Sequence, residues 1–177
     1  PIQMLGVIAA VGNGGVRLKP HLLKTVKAPD GEVLYESRPE IIGHLPASKS
    51  NLQIIRDGLF EVVQTKRGTA SLARLPDVTI WGKTGTAPVV GRKGDGPERY
   101  ADHQKPHAWF VAFAEKEGRP GISVSVMVEH GEHGSSGAAP IARDIIRQFY
   151  DGADESDDDK NAKTTDETIE SPEQYIF

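Results

Sequence analysis

One short run, residues 82–87 (Gly-Lys-Thr-Gly-Thr-Ala), contains the side chains of this 177-residue chain best suited to chemistry. It combines the amine of Lys83, the hydroxyls of Thr84 and Thr86, and two glycines. Because side chains alternate along a strand, Lys83 and Gly85 would share one face and the two threonines the other. Gly85 has no Cβ, so a substrate backbone can come close to the strand. These donors favour an anionic peptide bound in extended form along a strand edge.

The same residues allow other interpretations. A Gly-Lys-Thr-Gly composition is common in ordinary turns. A phosphate-binding Walker A loop is excluded, because no Gly-x-x-x-x-Gly-Lys-Thr pattern is present. The β-branched run at 78–81 (Val-Thr-Ile-Trp) directly before the motif favours a strand.

Two histidine pairs, His103-x3-His107 and His130-x2-His133, raise the alternative of a metal site. Acidic residues lie nearby, but the chain has no cysteine and no His-Glu-x-x-His pattern. Histidines in a glycine-rich loop are more often solvated, so we predict no metal and no cofactor. His107 lies where a polar loop meets a strand; substrate contact and packing both fit that place, and we keep it as a candidate substrate-binding residue.

Charge divides the chain into two parts. The net charge is −4, yet residues 151–177 contain ten acidic residues against two lysines. With so few apolar residues to bury, we expect 151–177 to be an acidic, disordered tail. Residues 1–150 are mildly basic without a basic stripe interleaved with aromatic residues, which argues against nucleic acid as a partner. The absence of cysteine excludes disulfides and thiol chemistry and is compatible with an oxidising compartment.

Hydrophobic spacing predicts three helices, over 2–11, about 48–64 and about 137–150. Ser135 and Ser136 would cap the third helix, and Pro140 is tolerated in its first turn. The predicted buried face of the third helix contains Ala138, Ile141, Ala142, Ile145, Ile146, Phe149 and Tyr150. Since Pro1 stands where proline begins a helix, we expect the chain to start inside a folded domain.

Strand patterns occur at the remaining positions. Residues 16–26 and 32–36 flank the turn at 29–31 and predict a hairpin. Residues 108–114 are nearly all apolar, as expected for a central strand covered on both faces. Residues 122–128 alternate, and the short linker before them implies an antiparallel pair. The sequence therefore predicts an α+β fold, an antiparallel sheet packed against helices.

Over residues 1–150, ordered motifs resemble the C-terminal part of a class B penicillin-binding protein transpeptidase domain, of the elongation type (penicillin-binding protein 2). Lys-Thr-Gly on a strand is one of three active-site elements of the serine enzymes that react with penicillin. The motifs are Gln3-Met4-Leu5 through Ala10, Asn13-Gly14-Gly15-Val16 with Pro20-His21-Leu22, Arg67-Gly68-Thr69-Ala70, Gly82-Lys83-Thr84-Gly85-Thr86-Ala87, His107-Ala108-Trp109-Phe110 with Ala112-Phe113-Ala114, and Ala138-Ala139-Pro140-Ile141-Ala142. The elongation type depends on the His107 motif and the long loop after Thr86.

The resemblance implies a partial penicillin-binding, serine β-lactamase-like fold and an acyl-transfer reaction. In that family a serine attacks a D-Ala–D-Ala stem peptide and passes the acyl group to a second stem, and β-lactams mimic the donor. By motif, Lys83 would shape the electrostatics of the site and assist proton transfer. Thr84 and Thr86 would hold the substrate carboxylate beside Gly85, and the N–H of Thr86 would serve the oxyanion hole.

The chain departs from this family in one respect that decides the mechanism. Neither Ser-x-x-Lys nor Ser-x-Asn occurs in the 177 residues, so the nucleophile is missing. Without it there is no acyl-enzyme, and we expect this chain alone to be inactive. Alternative interpretations are a fragment of a serine β-lactamase or β-lactam sensor, or a non-catalytic binding module.

Partners and location follow from the resemblance. The expected partners are peptidoglycan stem peptides, β-lactams, the remainder of the parent transpeptidase, and glycan-polymerising and elongation-complex proteins. The expected place is the periplasmic face of the bacterial inner membrane, with an anchor outside this sequence. No run in the chain approaches the length of a membrane span.

Overall fold

The computed structural model describes residues 1–89, 101–157 and 175–176, and the statements below concern these residues. The helices are α1 (Ile2–Gly12), α2 (Lys49–Gln64) and α3 (Ala139–Asp157). The strands are β1 (Val16–Leu18), β2 (Thr25–Lys27), β3 (Val33–Glu36), β4 (Ile41–His44), β5 (Thr79–Ala87), β6 (His107–Glu115), β7 (Gly121–Val128) and β8 (Tyr175–Ile176). Short 3-10 turns occupy Ser71–Ala73 and Asp102–Gln104, and a π-helical turn, Gly134–Ala138, leads into α3.

A four-stranded sheet in the order β5-β6-β7-β8 forms the centre of the fold. The β5–β6 and β6–β7 pairs are antiparallel, as predicted, whereas β8 pairs with β7 in parallel over two residues. The apolar strand β6 has a neighbour on each side and is buried over Phe110–Ala114. The predicted α+β class and the central position of 108–114 are confirmed.

Helices cover both faces of the sheet. On one face, α3, the end of α2 and the turn at 71–73 pack against the alanines and phenylalanine of β6 in the larger core cluster. On the other face, Ile8 and Val11 of α1 pack against Val111 and Phe113. Both helical layers therefore pack against β6, the strand next to the Lys-Thr-Gly motif, and hold it from both faces.

The region between α1 and α2 differs from the prediction. Residues 16–26 were expected to form one strand, but the structure separates β1 and β2 around Pro20. Proline lacks the N–H that would continue a ladder, so the chain changes partner at this point. The β2–β3 hairpin is confirmed, while β1 pairs instead with β4, a strand that was not predicted.

Helix α3 also corrects two expectations. Ile141 and Ile145, predicted on the buried face, are each 44% exposed, whereas Ala142, Ile146 and Tyr150 are buried. Ser135 and Ser136, predicted as caps, lie inside the π-helical turn, which makes no side-chain cap hydrogen bond.

The predicted tail is helical where it begins, because α3 continues to Asp157. Residues 158–174 and 177 lie outside the described part of the chain, and the disorder predicted for them stays a prediction. Within the described residues, no helix is both long and apolar enough to cross a bilayer.

Candidate active site

The Lys-Thr-Gly motif lies within β5, not at its end. Lys83 pairs with Val111 and Gly85 with Trp109, on the face covered by α1. Thr84 pairs with Phe110, whose ring belongs to the core on the opposite face. The register therefore places Lys83 and Gly85 on one face and Thr84 on the other, as predicted. Lys83 is exposed, and its Nζ donates a hydrogen bond to the carbonyl of Thr84 at 2.8 Å.

The strand that contains the motif lies at an edge of the sheet. Among the described residues, β5 has β6 as its single strand partner. Helix α2 approaches the first half of β5, where Gln64 Nε2 donates to the carbonyl of Ile80 at 3.4 Å. The second half, from Lys83 onward, has no strand beside it in the described structure, so alternate N–H and C=O groups face away from β6. An extended peptide can pair with such an edge.

A cleft of about 390 Å³ lies beside this half of the strand. Its lining consists of Met4, Lys83, Thr84, Gly85, Thr86, Ala87, Trp109 and Val111. Four of these, Lys83, Thr84, Gly85 and Thr86, were predicted from sequence as site residues. Met4 and Trp109 were missed, because Met4 read as one apolar residue of an amphipathic helix and Trp109 as part of a buried strand.

Gly85 and Trp109 show why the motif needs a glycine. A Cβ on Gly85 would lie 3.1 Å from the Trp109 Cβ, tighter than an ordinary contact. The glycine therefore leaves space beside the Trp109 side chain, and the backbone of β5 stays accessible from the cleft. A larger residue would push outward into the space where a substrate backbone would lie.

A hydroxyl pair was also missed by the sequence analysis. Thr69 Oγ1 and Thr84 Oγ1 are 3.1 Å apart, and either can be the donor. The loop that holds Thr69 is anchored on α2, since the Ala70 N–H donates to the Val62 carbonyl at 2.9 Å. Arg74 adds hydrogen bonds to the carbonyls of Val63 and Thr65, at 3.2 and 3.0 Å. The signal was the Arg67–Ala70 motif, which the sequence analysis used for the family resemblance without assigning it to the site.

His107 lies at the end of the motif strand, paired with Ala87. Its Nδ1 accepts a hydrogen bond from the backbone N–H of His130 at 3.0 Å, and the two rings are 5.0 Å apart. The His130 Nδ1 lies 3.0 Å from the Lys105 carbonyl. The described residues contain no group of three or more metal-ligating side chains. The two hydrogen bonds and the ring contact join the loop before β6 to the turn after β7.

The turn after β7, residues 129–134, adopts an unusual backbone. His130 and Glu132 have φ of 56° and 63°, in the left-handed region. For residues with a Cβ this conformation costs roughly 1–2 kcal/mol each. Its contacts with the loop before β6, residues 102–106, offset that cost, including the Glu132 N–H bond to the Pro106 carbonyl at 2.9 Å.

An ion cluster joins the same two segments. Lys105 Nζ lies 2.9 Å from Glu132 and 3.0 Å from Asp102. The hydrogen bonds that Lys105 donates to Glu132 and to Asp102 raise its pKa above the ordinary value. Because folding raises this pKa, the contribution of the Lys105 ion pairs to stability is fully present below the pKa of the unfolded chain. It is lost only as pH rises through the pKa of the folded chain. The pairs are exposed to solvent and are therefore worth little individually.

The arrangement supplies three of the elements that acyl transfer requires. A lysine amine, threonine hydroxyls and backbone N–H groups converge on one cleft beside an open strand edge. The residues that line the cleft include neither serine nor cysteine. The described cleft can therefore bind an extended anionic ligand and stabilise negative charge on it.

Comparisons with known proteins agree with this geometry. The family described as penicillin binding protein transpeptidase domain matches residues 1–147. The chain is 32% identical over 162 residues to the peptidoglycan D,D-transpeptidase PbpA of Mycobacterium tuberculosis, covering 86% of this chain. It is 31% identical over 156 residues to the peptidoglycan D,D-transpeptidase MrdA of Haemophilus influenzae, covering 84% of this chain.

A solved structure is similar as well. The ceftriaxone acyl-enzyme complex of penicillin-binding protein A from M. tuberculosis superposes with a TM-score of 0.61, at 28% identity over 81% of this chain and 30% of that one. The chain spans only 29% of the PbpA relative and 23% of the MrdA relative.

Proposed function

Since the chain belongs to the penicillin-binding protein transpeptidase family, we propose that it forms the Lys-Thr-Gly wall of a peptidoglycan D,D-transpeptidase active site. The parent enzyme would cross-link stem peptides by serine acyl transfer and would bind penicillin. The observation that supports this most strongly is the edge strand β5, which presents an exposed lysine and two threonines to a cleft. The family match favours a transpeptidase over a β-lactamase, a sensor or a binding module.

Each site residue has a proposed role. Lys83 lowers the energy of negative charge in the cleft and assists proton transfer between the nucleophile and the leaving group. Thr84 and Thr86 donate hydrogen bonds to the carboxylate of the acyl donor. The Thr86 N–H is one of two oxyanion donors, and Gly85 lets the donor backbone approach. His107, whose Nδ1 is engaged by His130, has only Nε2 left to contact the substrate.

The nucleophile belongs to another part of the parent protein. No Ser-x-x-Lys pattern occurs in the 177 residues, so the acyl-enzyme ester cannot form on the expected motif here. In the reaction, the serine oxygen bonds to the carbonyl carbon, D-Ala leaves with a proton, and a second stem amine then displaces the serine. The elongation type is proposed on the motif that begins at His107 and on the long loop after Thr86. The periplasmic location and the elongation-complex partners are proposed on the family resemblance.

Fluorescent penicillin provides the test. We expect the longer protein that contains this sequence to be labelled on a serine outside these residues, and the 177-residue chain alone to remain unlabelled. Replacing Lys83 by Ala in the longer protein should lower the second-order acylation rate by about 10²-fold or more, because a preorganised electrostatic donor is lost. Lys66→Ala is the matched control, since Lys66 is an exposed lysine outside the cleft lining.

Intact-mass analysis of both species identifies the outcome that opposes the proposal. A stoichiometric penicillin adduct on the 177-residue chain would show that it contains its own nucleophile. Equal acylation of the Lys83 and Lys66 variants would remove Lys83 from the proposed role.

A further inference from the structure

The turn that follows β7, residues 129–134, packs against the backbone of β5, the strand that contains the motif. A Cβ on Gly134 would fall 2.2 Å from the Trp109 carbonyl oxygen and 2.7 Å from that of Gly85. Real Cβ atoms do not approach backbone this closely, so the contact exists only because residue 134 is a glycine. The position of this turn therefore defines where the backbone of Gly85 can lie.

The turn depends on the neighbouring loop for its conformation. Its two left-handed residues each donate a backbone N–H to the segment around the start of β6. The His130 N–H bonds to His107 Nδ1 at 3.0 Å, and the Glu132 N–H bonds to the Pro106 carbonyl at 2.9 Å. Left-handed backbone at residues with a Cβ persists when surrounding contacts hold it. The His107 ring provides one of these contacts from the first residue of β6.

The bond to His107 restricts the protonation state of that ring. An imidazole nitrogen that accepts a hydrogen bond carries no proton, so the ring must be neutral with its proton on Nε2. A second proton would place an N–H at Nδ1, facing the N–H of His130. Two donors cannot bond to each other, and the turn would lose this contact.

We propose that neutral His107 is a positioning residue, which through the 129–134 turn holds the backbone of Gly85 in place for substrate binding. This role rests on the proposed function and is separate from any contact between His107 and substrate. It predicts that acyl-donor binding weakens when Nδ1 cannot accept this hydrogen bond.

Other ionisable groups lie close to His107 and have to be separated from it. On the turn they are Glu129, His130, Glu132 and His133, and on the loop before β6 they are Asp102, His103 and Lys105. The facing end of β5, Thr86–Ala87, contains none. The His130 ring does not impose the same restriction, because its Nδ1 faces the Lys105 carbonyl and can donate whether the ring is neutral or charged.

Two substitutions isolate the acceptor at Nδ1. His107→Asn places an amide oxygen near the position of Nδ1, and this acceptor does not titrate. His107→Ala removes the acceptor at every pH. The experiment measures the second-order rate of penicillin acylation of the longer protein from about pH 5 to pH 8, together with the amide resonances of Gly85 and His130 after labelling of glycine and histidine with ¹⁵N.

In the wild-type protein, the acylation rate should fall about tenfold on the acidic side, as expected for loss of one hydrogen bond, and the Gly85 amide should shift over the same pH range. His107→Asn should lose this acidic fall and the shift. His107→Ala should be slow at every pH. A residue with a purely structural role would change the rate without changing the shape of the pH profile.

Either of two results would overturn the proposal. One is an acidic limb that is identical in wild type and His107→Asn, and the other is a His107→Ala variant that is acylated at the wild-type rate. If the wild-type protein is not acylated at any pH, the proposed function fails. The Gly85 amide titration then still decides whether His107 controls the motif strand.

Discussion

At the scale of single residues, the cleft depends on small and polar side chains whose partners lie far away in sequence. Thr84 has its hydroxyl next to that of Thr69, fifteen positions earlier. If Thr69 donates to Thr84, the Thr84 hydrogen is free to meet a substrate carboxylate. Thr69 thus affects the anion site without belonging to the Lys-Thr-Gly motif.

Thr69→Val should therefore weaken acylation of the longer protein. Loss of one neutral hydrogen bond is worth about 0.5–1.5 kcal/mol, so we expect a rate lower by roughly 2- to 10-fold. Thr69→Ser keeps the hydroxyl and should retain most of the rate. Stopped-flow acylation with a chromogenic cephalosporin measures the rate of both variants. If the Val variant is acylated as fast as the Ser variant, the contact between the two hydroxyls does not contribute to the rate.

Gly134 allows a comparison between two glycine-to-alanine changes. At Gly134 a methyl group would overlap the backbone of β5 and β6, so we expect a loss of about 1–3 kcal/mol in the free energy of unfolding and slower acylation. At Gly58, inside α2, the methyl group meets no atom within 4 Å. There alanine should add about 0.5–1 kcal/mol through helix propensity. Urea denaturation separates the two, and equal effects would contradict the close contact at Gly134.

At the scale of secondary-structure elements, Arg56 of α2 contacts both α1 and the sheet. Its guanidinium lies 5.0 Å from the Trp81 ring and 4.8 Å from the Phe113 ring, and it donates hydrogen bonds to the Gly12 carbonyl and to Glu115. The planar group matches the stacked rings and satisfies a carbonyl at the end of α1. Because α1 brings Met4 to the cleft, this contact also shapes the site.

Replacement of Arg56 by Lys should not preserve this junction. An ammonium keeps the charge but loses the planar contact and one of the two directed hydrogen bonds, so we expect a loss of about 1–3 kcal/mol in the free energy of unfolding. Arg38→Lys, at an exposed position between β3 and β4, is the control and should change stability by less than about 0.5 kcal/mol. Chemical denaturation followed by tryptophan fluorescence measures the stability of both variants. Equal stability would argue against the role of Arg56.

Tyr150 joins α3 to the sheet. This side chain is 1% exposed, and its hydroxyl lies 3.0 Å from the Ala114 carbonyl and 3.2 Å from the Pro120 carbonyl. Tyr150→Phe keeps the ring and removes the donor, so it should cost about 1–2 kcal/mol in the free energy of unfolding. Tyr35→Phe, at a 47% exposed position on β3, should be nearly neutral. A neutral Tyr150→Phe would mean that the ring alone holds the helix.

At the scale of the whole molecule, α1 exposes apolar side chains. Ile2, Met4 and Val7 are 59%, 42% and 53% exposed, and Met4 lines the cleft. Exposed apolar surface marks an interaction site or causes association when it is large enough. It agrees with the proposal that the rest of a transpeptidase covers this region.

The isolated 177-residue chain should therefore self-associate, and Val7→Lys should reduce that association. The reason is that a charge on the exposed face of α1 must be desolvated when two copies pack together. Leu22→Lys is the control, because Leu22 is fully exposed in a loop away from α1. Sedimentation velocity over a concentration series measures the effect. A monomer with a sharp, concentration-independent melt would contradict this expectation.

Local sequence determined the elements and much of the motif. The apolar run of β6 required a buried central strand, and Ser48 at the start of α2 accepts the Asn51 N–H at 3.2 Å as a cap. These features depend on residues within a few positions of one another, which is why spacing and residue type were sufficient. Lys83, Thr84, Gly85 and Thr86 were placed on a strand for the same reason.

Tertiary structure alone decided which residues meet across the site. The pairings of Gly85 with Trp109, of Thr69 with Thr84, and of His107 with His130 join residues 15 to 24 positions apart. They are set by strand register and by the path of the turns, which local patterns do not encode. The same cause explains the exposed Ile141 and Ile145, since the face that a helix buries depends on what packs against it. Composition and spacing thus determined the groups available for chemistry, and the packing of distant segments determined their arrangement.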